Sequence, residues 1–227
     1  MPSSGPQGFM LDMDGTLVDS EPLWQESERH LMAPYGVPWG REEELFTHGR
    51  SMQFVTNYMA DLVQQSGAPR PDPDSFRSGF EEYMLANVGE RGVVQPGVPE
   101  LLTSIRQTGL PTALVSSSPR PLMEAVLDKI GRDWVGVTVS ANDVTEFKPE
   151  PEPYLQAARE LGVDPAWCVV VEDSPTGLAS ATAAGAYVVG LELAVTFDPA
   201  PRRRLIRTLQ GVTATTLMEW FEPPAKA

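Results

Sequence analysis

The stretch Phe9-Met10-Leu11-Asp12-Met13-Asp14-Gly15-Thr16-Leu17-Val18-Asp19-Ser20 decides the fold of this chain. Its apolar run ends at two carboxylates one residue apart, followed by glycine and threonine. Residues Gly8 to Leu11 are too apolar for a strand with one wet face and predict a short strand buried on both sides. Extended backbone continued through the acids would place Asp12 and Asp14 on one side, because side chains alternate along a strand. Gly15 then permits a tight turn without a Cβ penalty. Acids at the carboxyl end of a parallel strand lie where open α/β sheets bind ligands. Such a pair can hold Mg2+ and offers one nucleophile and one general acid/base. Alone, the string is also compatible with a solvated turn, the lesser reading, so the rest of the chain must decide.

Downstream, the pattern is helical. Ser20 is placed to cap a helix with Pro22 in its first turn. Residues Met52 to Gln65 carry Val55, Tyr58, Met59, Leu62 and Val63 on one face, and Gly67 ends that helix. Asp74 or Ser75 is expected to cap another, with Phe76, Phe80, Tyr83 and Met84 on its stripe. Residues 19–89 therefore predict an inserted all-helical cap domain, and 1–18 with 90–227 a Rossmann-like core. Glu90-Arg91-Gly92 and Pro96-Gly97 read as the return crossing. Strand and helix then alternate. Strands are expected at 111–115, 135–139, 168–171 and 187–189, with helices between them. That alternation predicts an α/β parallel sheet covered by helices on both faces. The tail from Asp198 is the least patterned part, and Arg202-Arg203-Arg204 reads as a solvated helix face.

Polar residues end or follow four of these segments: Asp12 and Asp14, Ser116 in Ser116-Ser117-Ser118, Lys148 before Pro149, and Glu172 with Asp173. In that order they resemble the four motifs of the haloacid dehalogenase-like hydrolase superfamily. The helical insertion soon after the first motif is similar to that superfamily's first cap type. Asp19-Ser20-Glu21, Lys148-Pro149-Glu150-Pro151 and Glu172-Asp173-Ser174-Pro175-Thr176-Gly177 look most like the sugar-phosphate phosphatase and β-phosphoglucomutase-like branch. The resemblance spans about Phe9 to Gly190.

The resemblance implies Asp12 as the nucleophile that accepts a phosphoryl group, giving an aspartyl-phosphate. Asp14 would protonate the leaving oxygen and then deprotonate the attacking water; dehalogenases of the superfamily lack this second acid. Ser116, whose other reading is a cap for the helix near Pro119, would bind the phosphoryl oxygens through its hydroxyl, with the Ser117 amide. Lys148, otherwise a solvated loop lysine, would neutralise the nucleophile and the charge developing on the phosphoryl group. Asp173 would ligate Mg2+ directly and Glu172 directly or through a partner, with the Asp12 carboxylate and the Asp14 carbonyl completing a hard oxygen site. In the cap, His48-Gly49-Arg50-Ser51 aligns loosely with a substrate-contacting loop. Gly49 and Arg50 are thus candidate substrate-binding residues, Arg50 for a second anionic group; a solvated arginine beside a helix cap is the alternative. Mutases of this branch carry a histidine on the helix after Ser20. Trp24 falls at that position here, and His30 lies about two turns further on.

Composition excludes several other functions. A formal charge of -14 disfavours nucleic acid, whose phosphates need clustered lysine and arginine. It also means an anionic substrate must be drawn in by local cations or a metal. No apolar run is long enough to span a membrane. The opening residues lack the charged and apolar regions of a signal peptide. The single cysteine, Cys168, excludes an internal disulfide, reads as strand packing, and fits a reducing cytoplasm. The expectation is a cytoplasmic monomer: a Mg2+-dependent phosphatase acting on a small phosphorylated metabolite, such as a sugar phosphate. A β-phosphoglucomutase-like isomerase is the first rival, and a non-catalytic metabolite- or partner-binding protein the second.

Overall fold

The computed structural model describes residues 5–47 and 50–224. The chain divides into two compact units, Met1–Asp19 with Val93–Ala227, and Ser20–Gly92. The first holds a six-stranded, wholly parallel sheet in the order β5-β4-β1-β6-β7-β8. These strands are β1 (Gly8–Leu11), β4 (Thr112–Val115), β5 (Val137–Val139), β6 (Cys168–Glu172), β7 (Tyr187–Leu191) and β8 (Arg203–Ile206). A two-residue antiparallel ladder, β2 (Val18–Asp19) with β3 (Val93–Val94), lies outside that sheet. The helices of this unit are α5 (Val98–Thr108), α6 (Arg120–Ile130), α7 (Glu152–Leu161), α8 (Pro175–Ala183) and α9 (Ala214–Trp220).

β1 reads as unbroken apolar sequence because both of its faces are covered. Met10, Ala113, Val115, Val170 and Val188 pack with Tyr154, Ala157 and Ala158 of α7 and Leu178 and Ala181 of α8. The alternate positions Phe9, Leu11, Leu114, Val169 and Val171 are also without exposed surface. Cys168 belongs to the first of these clusters, and burial pushes its thiol up to about 12, so it packs rather than reacts. β4 and β5 lie to one side of β1, and β6, β7 and β8 to the other. β1 therefore marks the point where the strand order reverses, and ligand sites form at the carboxyl ends of the strands there.

The second unit is helical among its described residues: α1 (Glu21–Met32), a 3-10 turn at Ala33–Tyr35, α2 (Arg41–Thr47), α3 (Met52–Gln65) and α4 (Pro73–Arg91). Met32, Val55, Met59, Val63, Phe76 and Phe80 make its core. α3 occupies the span its periodicity predicts. α4 starts earlier than expected, capped by Asp72, whose Oδ1 accepts from the Asp74 amide at 3.0 Å. Pro73 takes the first helical position, where its missing N–H costs nothing. The same helix runs on through Glu90 and Arg91, which the sequence assigned to the return crossing. Ser20 stands at the start of α1 as expected, but in helical backbone, and its side chain makes no capping bond.

The tail corrects the reading of Arg202-Arg203-Arg204 as a helix face. Arg203 and Arg204 open β8, which pairs with β7 in the register Val188↔Arg203 and Val189↔Arg204. Arg202 turns into that strand at a φ of 54°. Its guanidinium donates to the carbonyls of Gly185 and Ala166, at 3.0 and 2.6 Å, which ties down two loops. Leu205 and Ile206 supply the half-buried apolar positions that a charge run had obscured.

Candidate active site

Lys148 is the hub of the polar cluster at the carboxyl edge of the sheet. Its Nζ donates to Asp12 Oδ1 at 2.6 Å, to Glu172 Oε1 at 2.7 Å and to the Val115 carbonyl at 3.0 Å. Asp12 follows β1, Val115 ends β4 and Glu172 ends β6, so one ammonium ties three neighbouring strands together. The loop that delivers it contains a cis Lys148–Pro149 bond. Far from being a solvated loop residue, the lysine side chain is 3% exposed and its partners 8% and 0%. Burial works to lower the Lys148 pKa, but the charges of Asp12 and Glu172 outweigh it and hold the ammonium above its ordinary value. Asp12 is pushed up to about 7, first by burial and then by Glu172, against the opposing pull of Lys148.

Asp14 belongs to a second group. Its Oδ2 accepts from Ser116 Oγ at 3.1 Å and from Ser118 Oγ at 2.8 Å, both just beyond β4. Ser116 Oγ also accepts from the Ser118 amide at 2.9 Å, which closes the turn. The helix that follows, α6, starts after Pro119 without a side-chain cap, so Ser116 is not its cap. Ser117 is exposed between the two buried serines. Asp14 thus reaches the carboxyl end of β4 directly and Asp12 through Lys148, although β1 ends at Leu11 and the chain turns at Gly15.

Asp173 completes the edge. Its Oδ1 accepts from Thr16 Oγ1 at 3.0 Å, and burial, followed by Asp12 and Glu172, holds its pKa well above the carboxylate range. Gly15 has a φ of 82°, and a Cβ there would run into the Asp173 carboxylate. The turn needs glycine for its backbone and for this close approach. One carboxylate oxygen from each of Asp12, Glu172 and Asp173 lies within 4.8 Å of the others. Three carboxylates face one ammonium in a nearly dry site, an excess of negative charge that a divalent cation would balance. The donors are all hard oxygens, which suits Mg2+ or Ca2+ over softer metals. Glu172 is the most committed of the three. Its Oε1 accepts from Lys148 and Tyr154, and its Oε2 from the amides of Asp173 and Ser174 and from Ser174 Oγ.

In the cap, Gly49 lies outside the described residues. Arg50 is exposed, with its guanidinium 4.7 Å from the Phe54 ring centre and 5.6 Å from that of Phe46. Trp24 is half-buried against Phe80, ring centres 5.9 Å apart, and His30 is exposed with its ring 5.2 Å from that of Tyr83. Sequence reasoning assigned no role to Ser118, to Tyr154 or to the hydroxyl of Thr16. Ser118 and Thr16 stand inside quoted motifs, and their hydroxyls were the signal. Tyr154 sits at an apolar helical position and is indistinguishable there from a packing residue.

The sequence profile of the haloacid dehalogenase-like hydrolases matches residues 6–185. Hexitol phosphatase A of Escherichia coli (strain K12) is 34% identical, over 92% of this chain and 94% of its own length. Validoxylamine A 7'-phosphate phosphatase of Streptomyces hygroscopicus subsp. limoneus is 30% identical, over 80% of this chain and 84% of its own. Among solved structures, a variant of CbbY from Rhodobacter sphaeroides in complex with xylulose-(1,5)bisphosphate superposes with a TM-score of 0.80. It is 26% identical, covering 93% of this chain and 99% of that one. A structure named as a β-phosphoglucomutase from Thermotoga maritima shares the fold at a TM-score of 0.69 and 24% identity, covering 89% of this chain and 95% of that one.

Proposed function

The chain belongs to the haloacid dehalogenase-like hydrolase family, as an enzyme of its phosphatase group, and from that premise we propose that it hydrolyses a small phosphate monoester, a sugar or polyol phosphate, through an aspartyl-phosphate on Asp12. The observation that carries the reading is the division of labour between the two acids. Asp12 is sealed against Lys148, and Asp14 is held by two serine hydroxyls over the same strand end. The relatives named as hexitol and validoxylamine A 7'-phosphate phosphatases, with the CbbY variant in complex with xylulose-(1,5)bisphosphate, support a polyol or sugar phosphate as the substrate class.

In the proposed reaction an Asp12 carboxylate oxygen attacks phosphorus as the bond to the leaving oxygen breaks. Asp14 gives that oxygen its proton, then takes a proton from the water that attacks the aspartyl-phosphate. Breaking the bond between phosphorus and Asp12 then releases inorganic phosphate and restores both acids. Lys148 keeps Asp12 in place and offsets charge on the transferring group. Asp12, Asp173 and the Asp14 carbonyl, with Glu172 beside them, are proposed to hold Mg2+. Bound there, the ion supplies positive charge for the phosphoryl oxygens.

The test is phosphate release from hexitol phosphates, aldose and ketose phosphates, phosphoglycolate and p-nitrophenyl phosphate, with Mg2+ and with EDTA. Release that requires Mg2+ and favours one compound is expected. Migration of phosphate within the sugar without release would mark a mutase. Neither reaction, from folded protein, would overturn the assignment of phosphoryl-transfer chemistry to this site.

A further inference from the structure

Tyr154 has no exposed surface. It stands in the first turn of α7, six residues after Lys148, and its hydroxyl donates to Glu172 Oε1 at 2.8 Å. The same oxygen accepts from Lys148 Nζ at 2.7 Å, and that nitrogen lies 5.1 Å from the centre of the tyrosine ring. The tyrosine therefore packs against the Lys148–Glu172 pair and shares its acceptor oxygen with the lysine.

The donor count gives this contact a consequence. An ammonium has three N–H groups, and those of Lys148 already have three acceptors: Asp12, Glu172 and the Val115 carbonyl. A phosphoryl oxygen arriving at Lys148 can gain an N–H only at the expense of one of them. A buried carboxylate oxygen left without a donor is costly. Glu172 Oε1 avoids that state, because the Tyr154 hydroxyl remains on it when Lys148 turns away.

We propose that Tyr154 is a positioning residue for phosphoryl transfer: its hydroxyl anchors Glu172 Oε1 so that Lys148 can pass one N–H from Glu172 to the transferring group. This rests on the phosphatase reading above. The tyrosine hydroxyl bonds Glu172, and it acts through Glu172 and Lys148.

Tyr154→Phe keeps the ring and its packing and deletes the donor. With p-nitrophenyl phosphate and Mg2+, kcat per folded molecule is expected to fall between about tenfold and a hundredfold, the usual range for a supporting partner. KM should stay within about twofold, because the exchange is completed during transfer rather than on binding. In a Glu172→Gln background, where the acceptor carries no charge, deleting the hydroxyl should cost much less, so the two substitutions should be non-additive. Calorimetric titration with Mg2+ should give the same affinity for Tyr154→Phe as for the parent. An unchanged kcat, additive effects, or a loss of rate that only tracks a loss of folded protein would overturn the role of Tyr154. If Tyr154→Phe does not fold by itself, the Glu172→Gln background still decides. Equal rates there with and without the tyrosine hydroxyl support the proposal, and a further fall on its removal overturns it. A parent enzyme that releases no phosphate from any compound would instead sink the phosphatase reading, and this proposal with it.

Discussion

The ammonium of Lys148 donates to Asp12 Oδ1 at 2.6 Å, and both side chains are almost sealed from solvent. Their separation in sequence is 136 residues, so the contact joins the first strand to a loop formed more than half a chain later. Removing the ammonium leaves Asp12 and Glu172 buried beside Asp173 with no positive charge to offset theirs. Lys148→Met should therefore lower kcat by at least about a hundredfold. It should also destabilise the metal-free protein by about 3 kcal/mol or more at pH 8, as broken buried pairs do. Lys148→Arg should not restore activity, because a planar guanidinium cannot place three donors as the ammonium does. Steady-state rates and urea denaturation in EDTA check both statements.

Asp12→Asn tests the opposite side of the pair. Burial and Glu172 push the Asp12 carboxyl up to about 7, so its charge is a burden wherever no cation balances it. The amide is nearly isosteric, removes one of the crowded carboxylates and leaves Lys148 with Glu172. Phosphate release should be abolished. The melting temperature in EDTA at pH 8 should equal or exceed that of the parent. Mg2+ should raise the parent's melting temperature in a concentration-dependent way and raise that of Asp12→Asn or Asp173→Asn less. A variant that still turns over would remove Asp12 from the nucleophile role.

What the sequence disclosed about this site depended on where polar residues interrupt apolar runs. Asp12, Ser116 and Glu172 were legible because each ends or follows a strand that is otherwise uniformly buried. Lys148 was legible only through its neighbours in the family motif, since a lysine in an acidic proline-rich loop carries no signal of burial. Tyr154 was illegible for a different reason: an aromatic on a helix stripe packs in either case, and only the three-dimensional position of its hydroxyl distinguishes the two. β8 was misread because its first residues are arginines, whereas Arg202 just before them reaches back to loop carbonyls while the backbone pairs with β7. Charge runs describe side-chain tips, whereas sheet pairing is a property of the backbone.

Gly177→Ala sets helix propensity against a close approach. Alanine in α8 would gain up to about 1 kcal/mol over glycine. A Cβ at this position, however, would overlap the Glu172 carboxylate. Glu172 has no exposed surface and accepts from Lys148, Tyr154, Asp173 and Ser174, so it has no room to yield. The clash should win. The variant is expected to lose more than about tenfold in kcat, and to melt below the parent despite its better helix former. A higher melting temperature with full activity would show that Glu172 can move freely.

The cap carries a pH dependence of its own at Glu28. This carboxylate is 8% exposed and accepts from Trp39 Nε1 at 3.1 Å and Thr47 Oγ1 at 3.0 Å. Burial pushes its pKa up to about 7; the two hydrogen bonds oppose the rise, and Glu21 and Glu44 add to it. Because the folded value exceeds the unfolded one, the folded protein binds the proton more tightly. Its stability should fall as pH rises from about 4.5 to about 7 and stay lower above that. The shift caps the loss at about 3 kcal/mol. Glu28→Gln should remove this slope, because the carboxamide can accept from Trp39 and donate to Thr47, whose hydroxyl also lies 3.0 Å from the Glu43 carbonyl. The expected gain at pH 8 is about 1 to 2 kcal/mol, or roughly 2 to 8 °C in melting temperature for a chain of this size. Little difference is expected at pH 4.5, where the buried acid is already neutral. Melts of both proteins across that range decide it: a variant less stable than the parent at pH 8 would show that the ionised carboxylate is the form the cap is built around.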